Sequence, residues 1–195
     1  MIGIYATTLD DSFETINILR ERKIPFKLLD DFNNIPGDVT IIIIFPQGII
    51  VGKEVEITVG LKADILVDLA LAVINGKKAE KVILGIDPGP YPAMATIINN
   101  IVMDVEQFYN LNKMMDKVKS YRYISNKIIL KIGNGDPVYG QKIIKKLHTV
   151  VDEIIIVNEK NTSKIANKFD IPYSSNDEKR VKRNKGAAIA IGLSD

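Results

Sequence analysis

Apolar positions along the chain switch between short unbroken runs and a helical spacing, and each switch marks an element. Ile2 to Ala6 reads as a strand. Asp10, Asp11 and Ser12 then offer N-caps for a helix through Phe13, Ile16, Leu19 and Arg20. Pro25 stops that helix, and Phe26 to Leu29 reads as a second strand. After the Pro36-Gly37-Asp38 turn, Val39 to Phe45 is apolar on both faces, the pattern of a buried central strand. Pro46-Gln47-Gly48 breaks it. Leu61 to Asn75 is predicted as a helix with Ile65, Leu66, Leu69, Ala72 and Val73 on one face, ended by Asn75-Gly76.

Lys77 to Lys81 is a polar hinge, and the order of elements changes beyond it. Lys81 to Ile86, Ala93 to Asn99 and Ile101 to Phe108 read as three strands in succession, the last two joined by a tight turn at Asn99-Asn100. Leu111 to Tyr121 then reads as a helix, Lys127 to Ile132 as a buried strand and Val138 to Leu147 as a helix. Glu153 to Val157 is another strand, and a helix from about Asp177 to Leu193 finishes the chain. The expected class is α/β, with residues 1–78 as a small α/β domain and residues 79–195 as a second domain, a mixed sheet flanked by helices.

A chain of 195 residues with 46% hydrophobic and 26% charged residues buries a core unaided. The absence of cysteine removes disulfides, thiolate metal sites and cysteine nucleophiles. His148, the single histidine, leaves little room for histidine-based metal sites. No apolar run approaches a spanning length and no signal-peptide pattern opens the chain, so a cytoplasmic protein without membrane association is expected. Abundant Ile and Lys fit an AT-rich or thermophilic source. The net charge of +2 conceals an asymmetry: 8 basic against 12 acidic residues up to Glu80, then 18 against 12. A polyanionic partner would therefore meet the second half.

Three stretches of that half share a resemblance. Ile83-Leu84-Gly85-Ile86-Asp87-Pro88-Gly89 resembles the first strand of the RuvC and YqgF branch of the ribonuclease-H-like superfamily, where the strand delivers a metal-binding aspartate. Ile132-Gly133-Asn134-Gly135 resembles the fourth-strand end of YqgF-like domains. Ile156-Val157-Asn158-Glu159, with Thr162-Ser163, resembles their fifth-strand end. The resemblance spans roughly Lys81 to Asp195, and nothing before the hinge shares it. It implies a ribonuclease-H-like sheet and a metal-dependent, structure-selective endonuclease or junction resolvase acting on DNA or RNA.

Independently of any family, carboxylates at the ends of neighbouring strands converge on one rim, and hard oxygen ligands suit Mg²⁺ or Mn²⁺. Asp87, Glu159 and Asp136 are the candidate catalytic and metal-binding residues. The plainer reading makes Asp87 the start of a turn and Asp136 a helix cap. The last helix departs from the family pattern. Where RuvC-like enzymes carry an acid before an alanine-rich stretch, this chain has Asn184 or Lys185 before Ala187-Ala188-Ile189-Ala190-Ile191. Asp177 and Glu178 stand earlier, at the expected helix start.

Lys179, Lys182, Arg183 and, more loosely, Lys185 share much of one helical face and are the candidate nucleic-acid-binding residues, set against an ordinary solvated face. Gly48 to Glu54 is one residue short of a phosphate-binding loop and has Glu where Ser or Thr is required. No dinucleotide fingerprint is present. Tyr121 and Tyr123 offer base stacking or, more commonly for tyrosines at a helix end, core packing. Two readings stay open: a Mg²⁺- or Mn²⁺-dependent nuclease, and a non-catalytic module of the same fold binding nucleic acid or a protein partner. An ATP-binding relative ranks below both, and a homodimer is left open.

Overall fold

The computed structural model describes residues 1–31, 33–52, 55–58, 63–76, 78–98, 100–159 and 179–194. They form an α/β protein with two mixed sheets. The chain divides into two compact units, Met1–Lys78 and Ala79–Asp195. No helix among the described residues is long and apolar enough to cross a membrane.

In the first unit, β1 (Ile2–Ala6) pairs in parallel with both β2 (Phe26–Leu29) and β3 (Ile41–Phe45). β3 continues antiparallel into β4 (Ile49–Gly52) and β5 (Val55–Thr58), giving the order β2-β1-β3-β4-β5. The β4–β5 hairpin goes beyond the sequence expectation, since the glycines of Gly48 to Glu54 draw attention away from an Ile-rich alternation that suits a half-buried ladder. Helix α1 (Leu9–Glu21) is capped by Thr8, whose side chain accepts the Asp11 N–H while Asp11 accepts the Thr8 N–H. Asp10, Asp11 and Ser12 therefore lie inside the helix rather than at its cap. Ile16 and Leu19 are buried, but Phe13 is exposed. Helix α2 (Ala63–Ile74) buries Leu66, Val67, Leu69 and Ala70, and Gly76 beyond it takes the left-handed conformation of a helix stop.

The second unit opens with β6 (Val82–Asp87), β7 (Ala93–Ile98) and β8 (Ile101–Gln107), an antiparallel meander. Helix α3 (Leu111–Ser120) leads to β9 (Ile128–Gly133), which lies parallel to β6. Helix α4 (Pro137–Leu147) leads to β10 (Glu153–Val157), parallel to β9, and the sheet order is β10-β9-β6-β7-β8. Helix α5 (Lys179–Leu193) closes the unit. Asp177, Glu178, Thr162 and Ser163 lie outside the described residues.

Alternation along β6 decides what faces what. Leu84 and Ile86 are fully buried on the face shared with Thr96, whose hydroxyl bonds the Tyr121 hydroxyl at 2.8 Å. Ile83, Gly85 and Asp87 point to the opposite face, where α5 packs. Gly85 is required there: a Cβ would collide with the Ala188 carbonyl and the Gly192 backbone. Ala93, Ala95, Val105, Ala188 and Ile189 fill the core between α5 and the meander.

Candidate functional site

Asp87 is the last residue of β6, two positions beyond Gly85 and on the same face. The direct seating of α5 on Gly85 through Ala188 and Gly192 sets what stands over Asp87. Going back four residues at a time from Gly192 gives Ala188, Asn184 and Arg180, one stripe of the helix. Asn184, Arg180 and the adjacent Arg183 line a cavity of ≈ 270 Å³ together with Asp87, Asp136 and Glu159. Pro88 to Tyr91 and Gly135 also line it.

Glu159, two residues beyond β10, is held against the end of β9. Its Oε1 accepts the Gly135 N–H at 2.8 Å, and its own N–H donates to Asn134 Oδ1 at 3.3 Å. Any side chain at Gly133 would overlap its carboxylate, and one at Gly135 would crowd it. The Gly133-Asn134-Gly135 sequence is thus a seat for one carboxylate. Burial, and then the Glu159 charge, push Asp87 up from its ordinary value to about 7, against a smaller opposing effect of Arg183.

Asp136 lines the same cavity, but its Oδ1 accepts the Tyr139 N–H at 3.1 Å as the N-cap of α4. It fills the plainer role of a helix cap alongside its place in the wall. Of the basic residues singled out on the last helix, Arg183 alone is in the cavity wall; Lys179, Lys182 and Lys185 are not, and Lys182 and Lys185 are half-buried elsewhere on the helix. Arg180 and Asn184 are. The signal for Arg180 lay in the small residues Ala188 and Gly192, which set the phase of the helix.

Other candidates lie apart from this cavity. His148 caps the end of α4 with its ring bonded to the Lys145 carbonyl at 2.8 Å. Tyr121 is 2% exposed and packs in the core, so it has no face to offer a base. The side chain of Tyr123 and residues Lys53 and Glu54 lie outside the described residues. In the first unit, a cavity of ≈ 460 Å³ is lined by residues such as Ile35, Val39, Ile42 and Val51, and none of the described residues in its wall is ionisable.

Among the described residues no group of three or more His, Cys, Asp or Glu is gathered as a metal cage. The donor set is a pair of carboxylates, one fixed by a backbone N–H and the other buried beside it. That suits one small hard cation, since Mg²⁺ is commonly bound through one or two carboxylates and keeps its remaining positions for water and phosphate. No family model matches the chain, and no curated protein matches it.

Proposed function

We propose that the second unit is a nucleic-acid-binding domain of the ribonuclease-H-like, RuvC/YqgF type that acts as a Mg²⁺- or Mn²⁺-dependent, structure-selective endonuclease. One observation carries this reading: Asp87 and Glu159, from the ends of two different strands, share a cavity with Arg180 and Arg183. Carboxylates alone would repel a phosphodiester, and arginines alone would bind it without chemistry. The two together suit a bound cation and a bound phosphate in one place. The sheet order β10-β9-β6-β7-β8, with a meander followed by two parallel strands, supports this reading.

Asp87 and Glu159 would hold the cation, and when bound it would neutralise phosphate charge and lower the pKa of a water molecule. Arg180 and Arg183 bind and orient the phosphate. Gly135 fixes the Glu159 carboxylate, so little reorganisation is needed on binding. Pro88 and Pro90 stiffen the loop that follows Asp87.

A second reading, a non-catalytic module of the same fold, is favoured by Asn184, which lines the cavity with Asp87 at a position where the family pattern has an acid. Calorimetric titration with Mn²⁺ and cleavage of branched, single-stranded and hybrid substrates separate the two. The nuclease reading expects Mn²⁺ binding that Asp87→Asn and Glu159→Gln each weaken, with cleavage abolished by Asp87→Asn. Folded protein that binds nucleic acid but neither binds Mn²⁺ nor cleaves is the non-catalytic module.

A further inference from the structure

The antiparallel register of β7 and β8 runs on past the end of the ladder. Ala93 pairs with Gln107, and the Phe108 N–H donates to the Pro92 carbonyl at 2.8 Å. Tyr91 therefore falls opposite Tyr109, and their rings meet with centroids 5.2 Å apart at 51°. Tyr91 is 46% and Tyr109 74% exposed, whereas Phe108, the neighbour of Tyr109 in the chain, is buried. Two aromatic rings thus stand in solvent side by side, anchored by the sheet beneath them. Tyr91 also belongs to the wall of the cavity that contains Asp87, Glu159, Arg180 and Arg183.

We propose that Tyr91 and Tyr109 form a stacking platform for unpaired nucleobases, so that the site takes single-stranded nucleic acid or the unpaired segment of a branched one. The inference rests on the nucleic-acid reading above and names its substrate class. Duplex bases are already stacked and show only their edges, whereas an unpaired base offers a whole π-face. Arg180 and Arg183 supply the complementary charge for the phosphates next to such a base. Tyrosine stacking does not read hydrogen-bond patterns, so the platform selects for unpaired structure and not for sequence.

The test uses fluorescence anisotropy of the full chain with three labelled probes: oligothymidylate, an abasic strand of equal length and a blunt duplex. Mg²⁺ is present and strand integrity is checked on a gel. The wild type should bind oligothymidylate at least about tenfold more tightly than the abasic strand. Tyr109→Ala and Tyr91→Ala should each remove that preference. Tyr109→Ala, which lies outside the cavity wall, should do so without loss of abasic-strand affinity, and Tyr109→Phe should retain the preference. Circular dichroism checks that the variants fold. Binding of all probes with no preference for bases, or a preference that survives both alanine variants, overturns the platform and leaves the nucleic-acid reading standing. Binding to none of the three overturns both.

Discussion

Gly85 on β6 and Gly192 on α5 meet backbone to backbone: a Cβ on Gly192 would lie 3.2 Å from the Gly85 Cα. This close approach lets the helix sit directly on the strand, and it places Arg180, Arg183 and Asn184 over Asp87. Gly85→Ala drives a methyl into the Ala188 carbonyl and the Gly192 backbone, neither of which can swing aside. A loss of ~1–3 kcal/mol is expected, the usual cost of overpacking. Gly192→Ala meets mainly the flexible tip of Ile97 and gains helix propensity, so it should cost less. Urea denaturation of both variants gives the ranking, and equal midpoints would show that the helix is seated otherwise.

Asp87 ties stability to pH. Its carboxyl is raised to about 7 in the folded state, first by burial and then by Glu159. Between its ordinary value near 3.8 and about 7 the folded chain holds the proton that the unfolded chain releases, so stability falls as pH rises through that window. Asp87→Asn keeps the shape without the charge. In chelator, the variant should exceed the wild type in stability at about pH 8, and its lead should shrink toward about pH 5. A lead independent of pH would mean that Asp87 is not held protonated.

Strand ends were legible in this sequence because Pro and Gly write them plainly: Asp87-Pro88-Gly89 ends β6, and Gly133-Asn134-Gly135 ends β9. The phase of the last helix was not, because the spacing groups Lys179, Lys182 and Arg183 on one face but does not say which face meets the sheet. The choice between Lys182 and Arg180 depends on where Ala188 and Gly192 touch β6, a long-range packing relationship with no local signature. The Tyr91–Tyr109 pair was hidden for the same reason. It follows from a strand register that neither tyrosine reveals in its own neighbourhood.

The basic helix yields a ranking of variants. Arg180→Glu with Arg183→Glu should weaken nucleic-acid binding across all sequences alike and reduce the salt slope by roughly 0.7–0.9 for each phosphate no longer neutralised. Lys179→Glu with Lys182→Glu makes the same change of charge outside the cavity wall, and its effect should be smaller. Affinity measured at several salt concentrations reads both quantities. Equal losses in the two pairs would reduce the cavity arginines to diffuse surface charge.

Asn184 is the position from which the missing acid can be restored. It lines the cavity with Asp87 and Glu159, whereas Lys185, the neighbour that the sequence offers equally, is not in the wall. Asn184→Asp should therefore add a carboxylate to those of Asp87, Glu159 and Asp136 in the wall, and Lys185→Asp should not. Without metal, the added charge meets the carboxylates already in the wall and should lower the unfolding temperature of Asn184→Asp in chelator. With Mn²⁺ the same charge becomes a ligand, and affinity should rise roughly tenfold, equivalent to about 1.4 kcal/mol of extra stability at saturating metal. The difference between unfolding temperature in Mn²⁺ and in chelator should then widen for Asn184→Asp and stay at the wild-type value for Lys185→Asp. Calorimetry gives the affinity independently of stability. An Asn184→Asp variant that folds, loses stability in chelator and gains no Mn²⁺ affinity would show that the cavity gathers carboxylates without arranging them for a cation. Asp87 and Glu159 would then belong to a binding surface and not to a catalytic centre.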